Sequence, residues 1–77
     1  MKNHEELLIE ASSLLSENIK KHIMELFYAN EACIAFEELC NYLYEYDVNI
    51  SDDMYNKLSE ICQKLDISHE YYDLLKK

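Results

Sequence analysis

Apolar residues recur every three or four positions along most of the chain, which is the spacing of an amphipathic α-helix. Residues 4–15 and the segment after Ser16 each form one such apolar face. Ser16 is suited to cap the second helix, because its hydroxyl can accept a hydrogen bond from the first turn, and Asn30 can end that helix in the left-handed conformation. The predicted core positions of these two helices are Leu7, Leu8, Ala11, Leu14, Leu15, Ile19, Ile23, Leu26 and Phe27.

The second half of the chain predicts three further helices. The third runs from about Glu31 to Tyr46, Ser51 caps the fourth, and Ser68 caps a short last helix. Residues 1–77 therefore form one all-α domain, a small antiparallel bundle of four helices plus a short C-terminal helix. The apolar positions of the last two helices are Met54, Leu58, Ile61, Cys62, Leu65, Tyr71, Leu74 and Leu75.

The stretch LCNYLYEYDVNISDD, from Leu39 to Asp53, allows a second interpretation, because its tyrosines alternate as they would in a β-strand. Winding residues 32–46 at about 100° per residue separates apolar from polar positions cleanly, which favours a helix over a strand. The core side of that helix is predicted to carry Ala32, Ala35, Phe36, Leu39, Leu43 and Tyr46. The outward side is predicted to carry Glu37, Glu38, Asn41, Tyr44 and Glu45.

Composition limits the folds and compartments that fit this chain. Its 77 residues include no Gly and no Pro, which excludes glycine-rich phosphate loops and leaves the turns to Asn, Asp and Ser. No apolar run approaches the roughly 18 residues of a membrane span. The N-terminus lacks the basic and uninterrupted apolar regions of a signal peptide, so we expect a cytoplasmic protein.

Negative charge is concentrated in the middle of the chain. The formal net charge is −9, and residues 22–56 hold eight acidic residues and no Lys or Arg, so that span carries −8. Acids and bases pair at i,i+4 spacing in Glu17–Lys21, Asp53–Lys57 and Glu60–Lys64, but no base lies within that reach on the third helix. An acidic surface does not bind nucleic-acid phosphates or anionic membranes directly.

A solvated acidic face is the ordinary interpretation of these residues, but an exposed tyrosine among unpaired carboxylates also favours an interface for a basic partner. We therefore predict a partner-binding surface on the third helix and the turn that follows it. The predicted contact residues are Glu37, Glu38, Asn41, Tyr44, Glu45, Asp47, Asp52 and Asp53.

The spacing of oxygen-bearing residues after the third helix matches a calcium loop only in part. The sixth position of such a loop needs Gly for a sharp turn and is Asp52 here, and the twelfth needs a bidentate Glu and is Leu58. We therefore predict a capped helix start and no metal site. The first alternating positions are Asp47, Asn49, Ser51 and Asp53.

No Ser–His–acid or Cys–His arrangement is evident, so we predict no catalytic residue and no cofactor. Cys33, Cys40 and Cys62 are expected to be small buried hydrophobic residues. The serines that begin helices follow apolar residues, whereas a carrier protein would attach its prosthetic arm to a serine after Asp.

The run AFEELCNYLYEYDVNIS, from Ala35 to Ser51, resembles the central signature of small immunity proteins of polymorphic toxin systems, the MafI-type family. Similar short proteins accompany contact-dependent growth inhibition toxins. The resemblance covers roughly residues 30–67, and Asn30 and Asn49 stand where the family often has Gly and Pro. The residues that carry it are Ala35, Phe36, Glu37, Leu39, Cys40, Leu43, Tyr44, Glu45, Asp47, Val48, Ile50 and Ser51, followed by Leu58 and Leu65.

This resemblance implies a cytoplasmic antidote that binds and blocks the C-terminal domain of a toxin. The acidic surface favours a basic toxin such as a nuclease, because an acidic protein can occupy a cleft that normally binds phosphates. The alternative is an acidic helical adaptor or regulator that binds another basic protein. Tyr28 and Tyr72, which are predicted to be exposed, could serve a homodimer as easily as a toxin.

Overall fold

A computed structural model describes residues 4–68, 70–73 and 75, and within them the chain forms five helices and no strand. The predicted all-α fold is confirmed. None of the helices in this part of the chain is long and apolar enough to cross a membrane. In chain order the helices are α1 (His4–Ser12), α2 (Glu17–Tyr28), α3 (Ala32–Glu45), α4 (Asp52–Leu65) and α5 (Glu70–Asp73).

Serine hydroxyls cap the starts of the helices as predicted. Ser16 accepts a hydrogen bond from the N–H of Ile19 at 3.4 Å, and Ser51 accepts one from the N–H of Met54 at 3.1 Å. Each bond satisfies a donor in the first turn that has no partner within the helix. Ser68 likewise accepts from the N–H of Glu70 at 3.3 Å, where α5 begins.

Asn and Asp end the helices of a chain that has no glycine. Asn30, Asp47 and Asp66 have φ values of 65°, 50° and 56°, which is the left-handed region that glycine adopts most easily. After each of α2, α3 and α4, two successive N–H groups bond back to carbonyls of the last turn, which is a Schellman motif. The prediction that Asn30 ends the second helix is confirmed.

The first helix is shorter than predicted. It ends at Ser12 and not near residue 15, and the hydroxyls of Ser12 and Ser13 donate to the carbonyls of Leu8 and Ile9, both at 2.6 Å. Serine side chains that bond to the backbone in this way compete with helix continuation. Leu14, which was predicted to lie in the core, therefore falls in the turn and is 42% exposed.

The helices pack in pairs around one core. α2 packs mainly against α3, α1 packs against α4 and α2, and α5 lies against α3 and α4. Phe36, Leu39 and Leu43 of α3 are fully or almost fully buried, so one side of α3 is held firmly against the bundle. The core consists of Leu7, Leu8, Ala11, Ile23, Met24, Ala35, Phe36, Leu39, Cys40, Leu43, Leu58, Ile61, Cys62 and Leu75.

Two tyrosines differ from their predicted environments. Tyr46, which was predicted to lie in the core, is 59% exposed, because α3 ends at Glu45 and the turn after it brings Val48 onto the core instead. Tyr72, which was predicted to be exposed, is half-buried: its ring lies edge-on to Tyr55 with centroids 5.2 Å apart.

Candidate functional site

Five of the eight predicted contact residues lie together on the outward side of α3, which we call the α3 face: Glu37, Glu38, Asn41, Tyr44 and Glu45. Asn41 and Glu45 are exposed, and Tyr44 exposes 60% of its surface. Because the opposite side of α3 is buried, the backbone that carries this face is fixed by the core. The side chains of the α3 face are therefore displayed on a firmly packed backbone.

The two edges of the α3 face are bounded by neighbouring helices. On one edge, Glu37 accepts a hydrogen bond from the hydroxyl of Tyr71 in α5. On the other edge, Oε2 of Glu38 lies 3.5 Å from Nε2 of His22 in α2. No base lies within i,i+4 reach of Glu38 on α3 itself, as expected, and the helical period of α3 cannot reveal this neighbour because His22 belongs to another helix.

Ile34 extends the α3 face toward the start of the helix, and sequence reasoning missed it. Its side chain is 43% exposed, and it lies one turn before Glu38 and two turns before Asn41. A single exposed apolar residue is ordinary on a protein surface. The helical period alone would have placed it among the acidic residues, where it adds an apolar contact to a charged surface.

Aromatic residues border the other end of the α3 face. The rings of Tyr42 and Tyr46 stack with centroids 6.2 Å apart and planes within 10° of parallel. Tyr46 also lines an open groove of about 320 Å³ together with Leu14, Leu15, Ser16, Ile19 and Val48. Exposed apolar surface thus adjoins the acidic residues, as in many protein interfaces.

Asp47 joins Tyr44 in a concave site at the end of α3. These two residues line a recess of about 290 Å³ with Leu43, Val48 and Leu75, which we call the α3 recess. The predicted contact residues Tyr44 and Asp47 are therefore brought together, although they belong to the helix and to the turn after it.

Asp52 and Asp53 belong to a different helix and have a local role. Both lie in the first turn of α4, where negative charge is favourable for the helix dipole. Oδ2 of Asp53 lies 3.1 Å from Nζ of Lys57, which confirms the predicted i,i+4 pair. Their acidity is explained by α4 itself, so they support a binding surface less than the α3 face does.

Three tyrosine hydroxyls donate to carboxylates, and we call them the carboxylate-bound tyrosines: Tyr28 to Glu5, Tyr55 to Asp73, and Tyr71 to Glu37. The hydrogen bond to the carboxylate is the main cause that raises the pKa of Tyr28 and of Tyr71. The pKa of Tyr55 is raised mainly by desolvation and, to a smaller extent, by the hydrogen bond to Asp73. Tyr28 is 65% exposed, as predicted, but its hydroxyl is engaged within the chain.

The cysteines do not share one environment. Cys40 and Cys62 are buried, and burial raises the pKa of Cys40 to about 12 and raises the pKa of Cys62. Cys33 is exposed, contrary to the prediction, because it lies outside the apolar stripe of α3. Within the described residues, no three His, Cys, Asp or Glu side chains are placed to hold a metal ion.

No family model, curated protein or solved structure matches the chain. The interpretation of function therefore depends on the α3 face and the residues around it, together with the resemblance given above.

Proposed function

We propose that this protein is a cytoplasmic immunity protein that binds the C-terminal domain of a basic toxin through the α3 face and neutralises it. One observation carries the proposal: the α3 face presents carboxylates, Asn41 and an exposed tyrosine on a helix whose other side is fixed in the core. Residues 22–56 contribute no Lys or Arg to neutralise that surface. A nuclease is the favoured toxin class, because a phosphate-binding cleft is basic.

The charge and the aromatic residues have separate roles in this mechanism. The negative potential of the α3 face accelerates encounter with a basic surface and suppresses binding to acidic proteins. Tyr44 and Ile34 supply apolar area that can be desolvated in the complex, and such residues determine how slowly a complex dissociates. The proposed contacts are Glu37, Glu38, Asn41, Tyr44, Glu45 and Asp47, to which we add Ile34.

The proposal predicts that a gene beside this one encodes a large secreted protein with a toxin-like C-terminal domain, and that domain is used in the test. Cells that express this domain should grow when the present chain is co-expressed. In the Glu38→Lys/Glu45→Lys variant, affinity measured by calorimetry should fall by at least about tenfold, and the salt dependence of binding should flatten.

A matched control separates a local contact from a general effect of charge. Glu6→Lys/Glu60→Lys changes the net charge equally, and helical spacing puts both residues on the outward sides of α1 and α4. We expect the control to change affinity by less than about threefold, because rim and distant charges contribute little. Thermal melts verify that both variants are folded.

Three results would count against the proposal in different ways. Unchanged affinity of the α3 variant would move the interface elsewhere on the protein. Equal losses in the two variants would mean that only the net charge matters. Binding without rescue of growth would favour the alternative function, an acidic adaptor or regulator for another basic protein.

A further inference from the structure

Residues 70–73 and 75, which we call the C-terminal strap, lie against α3 and α4. Within the described residues, α5 packs against no other helix. Leu75 is 6% exposed and lines the α3 recess beside Leu43. Among the five strap residues it is the one whose side chain is buried, because Tyr71 and Tyr72 are only half-buried and the other two are exposed. The strap is therefore anchored in the core by one apolar side chain.

The strap lies beside the buried thiol of Cys62. Tyr72 and Cys62 line the same recess of about 450 Å³ at the end of α4, and Cys62 is 3% exposed. Desolvation is the main cause that raises the pKa of Cys62, and the carboxylate of Asp73 in the strap adds to it, which places Asp73 near the thiol. We therefore expect departure of the strap to give solvent access to Cys62.

Polar contacts between the strap and α4 can be exchanged for contacts with water. Oη of Tyr55 donates to Oδ1 of Asp73 at 3.0 Å, and the hydroxyls of Ser59 and Tyr72 lie 3.2 Å apart. The ring of Tyr55 also lies edge-on to that of Tyr72. Because water replaces such hydrogen bonds when they break, each of them contributes only modestly to holding the strap in place.

The end of α4 is complete without the strap. The N–H of Asp66 bonds to the carbonyl of Gln63, and the N–H of Ile67 bonds to the carbonyl of Cys62, so the last turn is capped before α5 begins. A helix of four residues is a single turn and is not stable in isolation. Loss of the contacts with α3 and α4 would therefore release the strap while leaving α4 intact.

We propose that the C-terminal strap opens as a unit while α1 to α4 stay folded, and that this opening exposes the Cys62 thiol and the Leu43 wall of the α3 recess. Local opening of such a segment requires less free energy than global unfolding when few buried apolar contacts hold it. The α3 recess is lined by Tyr44 of the α3 face, so opening changes the apolar surface next to the proposed interface. The inference goes beyond the proposed function and does not depend on it.

The test measures how fast methyl methanethiosulfonate, a small uncharged thiol reagent, modifies Cys62 in the full chain at pH 8. Peptide mass spectrometry assigns each modified cysteine, so the exposed Cys33 does not interfere. In urea below the unfolding transition, we expect the rate at Cys62 to stay almost constant, because opening of the strap exposes little surface. Modification through global unfolding alone would accelerate steeply with urea.

Two tyrosine variants form a matched pair. Tyr55→Phe removes a hydrogen bond to the strap, whereas Tyr28→Phe removes one between α2 and α1. We expect Tyr55→Phe to accelerate the modification of Cys62 in water by about two- to tenfold, which is the factor that corresponds to one hydrogen bond. Tyr28→Phe should change this rate by less than about 1.5-fold, because distant substitutions act independently of the strap.

A second pair compares two buried apolar positions. Leu75→Ala removes the anchor of the strap and should accelerate the modification of Cys62 by at least about tenfold. Ile23→Val trims a buried residue of α2, a helix against which α5 does not pack within the described part of the chain. It should lower the urea midpoint of unfolding and leave the rate at Cys62 in water unchanged.

Several outcomes would overturn the inference. These are a rate at Cys62 that follows global unfolding in urea, equal acceleration by Tyr55→Phe and Tyr28→Phe, and modification of Cys62 as fast as that of Cys33, which would mean that the strap does not cover the thiol. If Leu75→Ala fails to fold, the tyrosine pair decides. The experiment needs no toxin, so its failure leaves the proposed function standing, and failure to rescue growth leaves the strap standing.

Discussion

The ion pair between Lys57 and Glu10 joins α4 to α1, and its contribution to stability can be separated from that of a neighbouring pair. Nζ of Lys57 lies 2.6 Å from Oε2 of Glu10 and 3.1 Å from Oδ2 of Asp53. Lys57 and Glu10 expose 26% and 28% of their side chains, whereas Asp53 exposes 80%. One lysine therefore holds a partly buried partner across the bundle and an exposed partner on its own helix.

The expected magnitudes follow from this difference in exposure. Hydrogen bonds to charged groups contribute about 1.5–3 kcal/mol, whereas exposed ion pairs contribute about 0.2–1 kcal/mol. The pair with Glu10 lies between these ranges, so we expect a coupling free energy of about 1–1.5 kcal/mol. The pair with Asp53 should contribute about 0.3–0.5 kcal/mol, as i,i+4 pairs on helix surfaces do.

Double-mutant cycles measure both couplings from the free energy of unfolding in urea. The substitutions are Lys57→Met, which keeps the apolar stem, Glu10→Gln and Asp53→Asn. Lys57→Met alone should lower stability by about 1–2 kcal/mol, and for a domain of this size each kcal/mol corresponds to about 4–8 °C in Tm. At about 1 M salt, where the Debye length is about 3 Å, the coupling with Asp53 should disappear while most of the coupling with Glu10 persists.

One result would refute this reasoning directly. If the coupling with Asp53 equals or exceeds the coupling with Glu10, proximity along the helix outweighs burial in setting the strength of the pair. Equal loss of both couplings at high salt would lead to the same conclusion, because screening acts mainly on exposed charges.

Two further predictions concern the thiols and the tyrosines. At pH 8 a disulfide reagent should react quickly with only one thiol of the folded protein, that of Cys33. Cys40 and Cys62 should react slowly, because both are buried and their pKa values are raised. Fast modification of a second thiol would contradict the buried environments of Cys40 and Cys62. The carboxylate-bound tyrosines have folded-state pKa values above 10.0, so their stabilising effect is complete below pH 10 and is lost as the pH rises through those values. Replacing all three with Phe should flatten the fall of Tm between about pH 9 and pH 11, whereas identical slopes would show that these bonds do not stabilise the fold.

Helix positions and most helix ends could be predicted from the sequence because their causes are local. The hydroxyls of Ser16 and Ser51 act on donors three residues away, and Asn30 needs only its own left-handed conformation. The apolar period likewise identifies the buried side of α3. These features depend on neighbours within one turn, which the sequence contains directly.

Contacts between helices could not be predicted, because they depend on which faces pack together. His22 approaches Glu38 only because α2 packs against α3, and Glu37 meets Tyr71 only because α5 folds onto the same helix. A helical wheel of α3 alone therefore shows no partner for the carboxylates of Glu37 and Glu38. The centre of the α3 face, around Asn41 and Glu45, is consequently a stronger candidate for partner contact than its two edges.

The position of Tyr46 has a different cause, which also explains the α3 recess. The helical period of α3 predicts a buried Tyr46, but the helix ends at Glu45, and Tyr46 is the residue at which the chain leaves the helix. Because Asp47 then adopts φ 50°, the next residue to reach the core is Val48. The apolar pattern contains Val48, but only the turn geometry shows that it takes the place predicted for Tyr46.

An Asp in the left-handed conformation is not in itself a sign of function in this protein. Glycine would adopt that conformation with less strain, yet Asn30, Asp47 and Asp66 all adopt it, so the use of Asn and Asp is general to a chain without glycine. The ends of α3 and α4 also have similar surroundings, because a tyrosine lines the recess at each end: Tyr44 beside Asp47 and Tyr72 beside Asp66. The left-handed conformation of Asp47 and Asp66 therefore has a structural cause, the Schellman motif that ends each helix, and it identifies no binding site by itself.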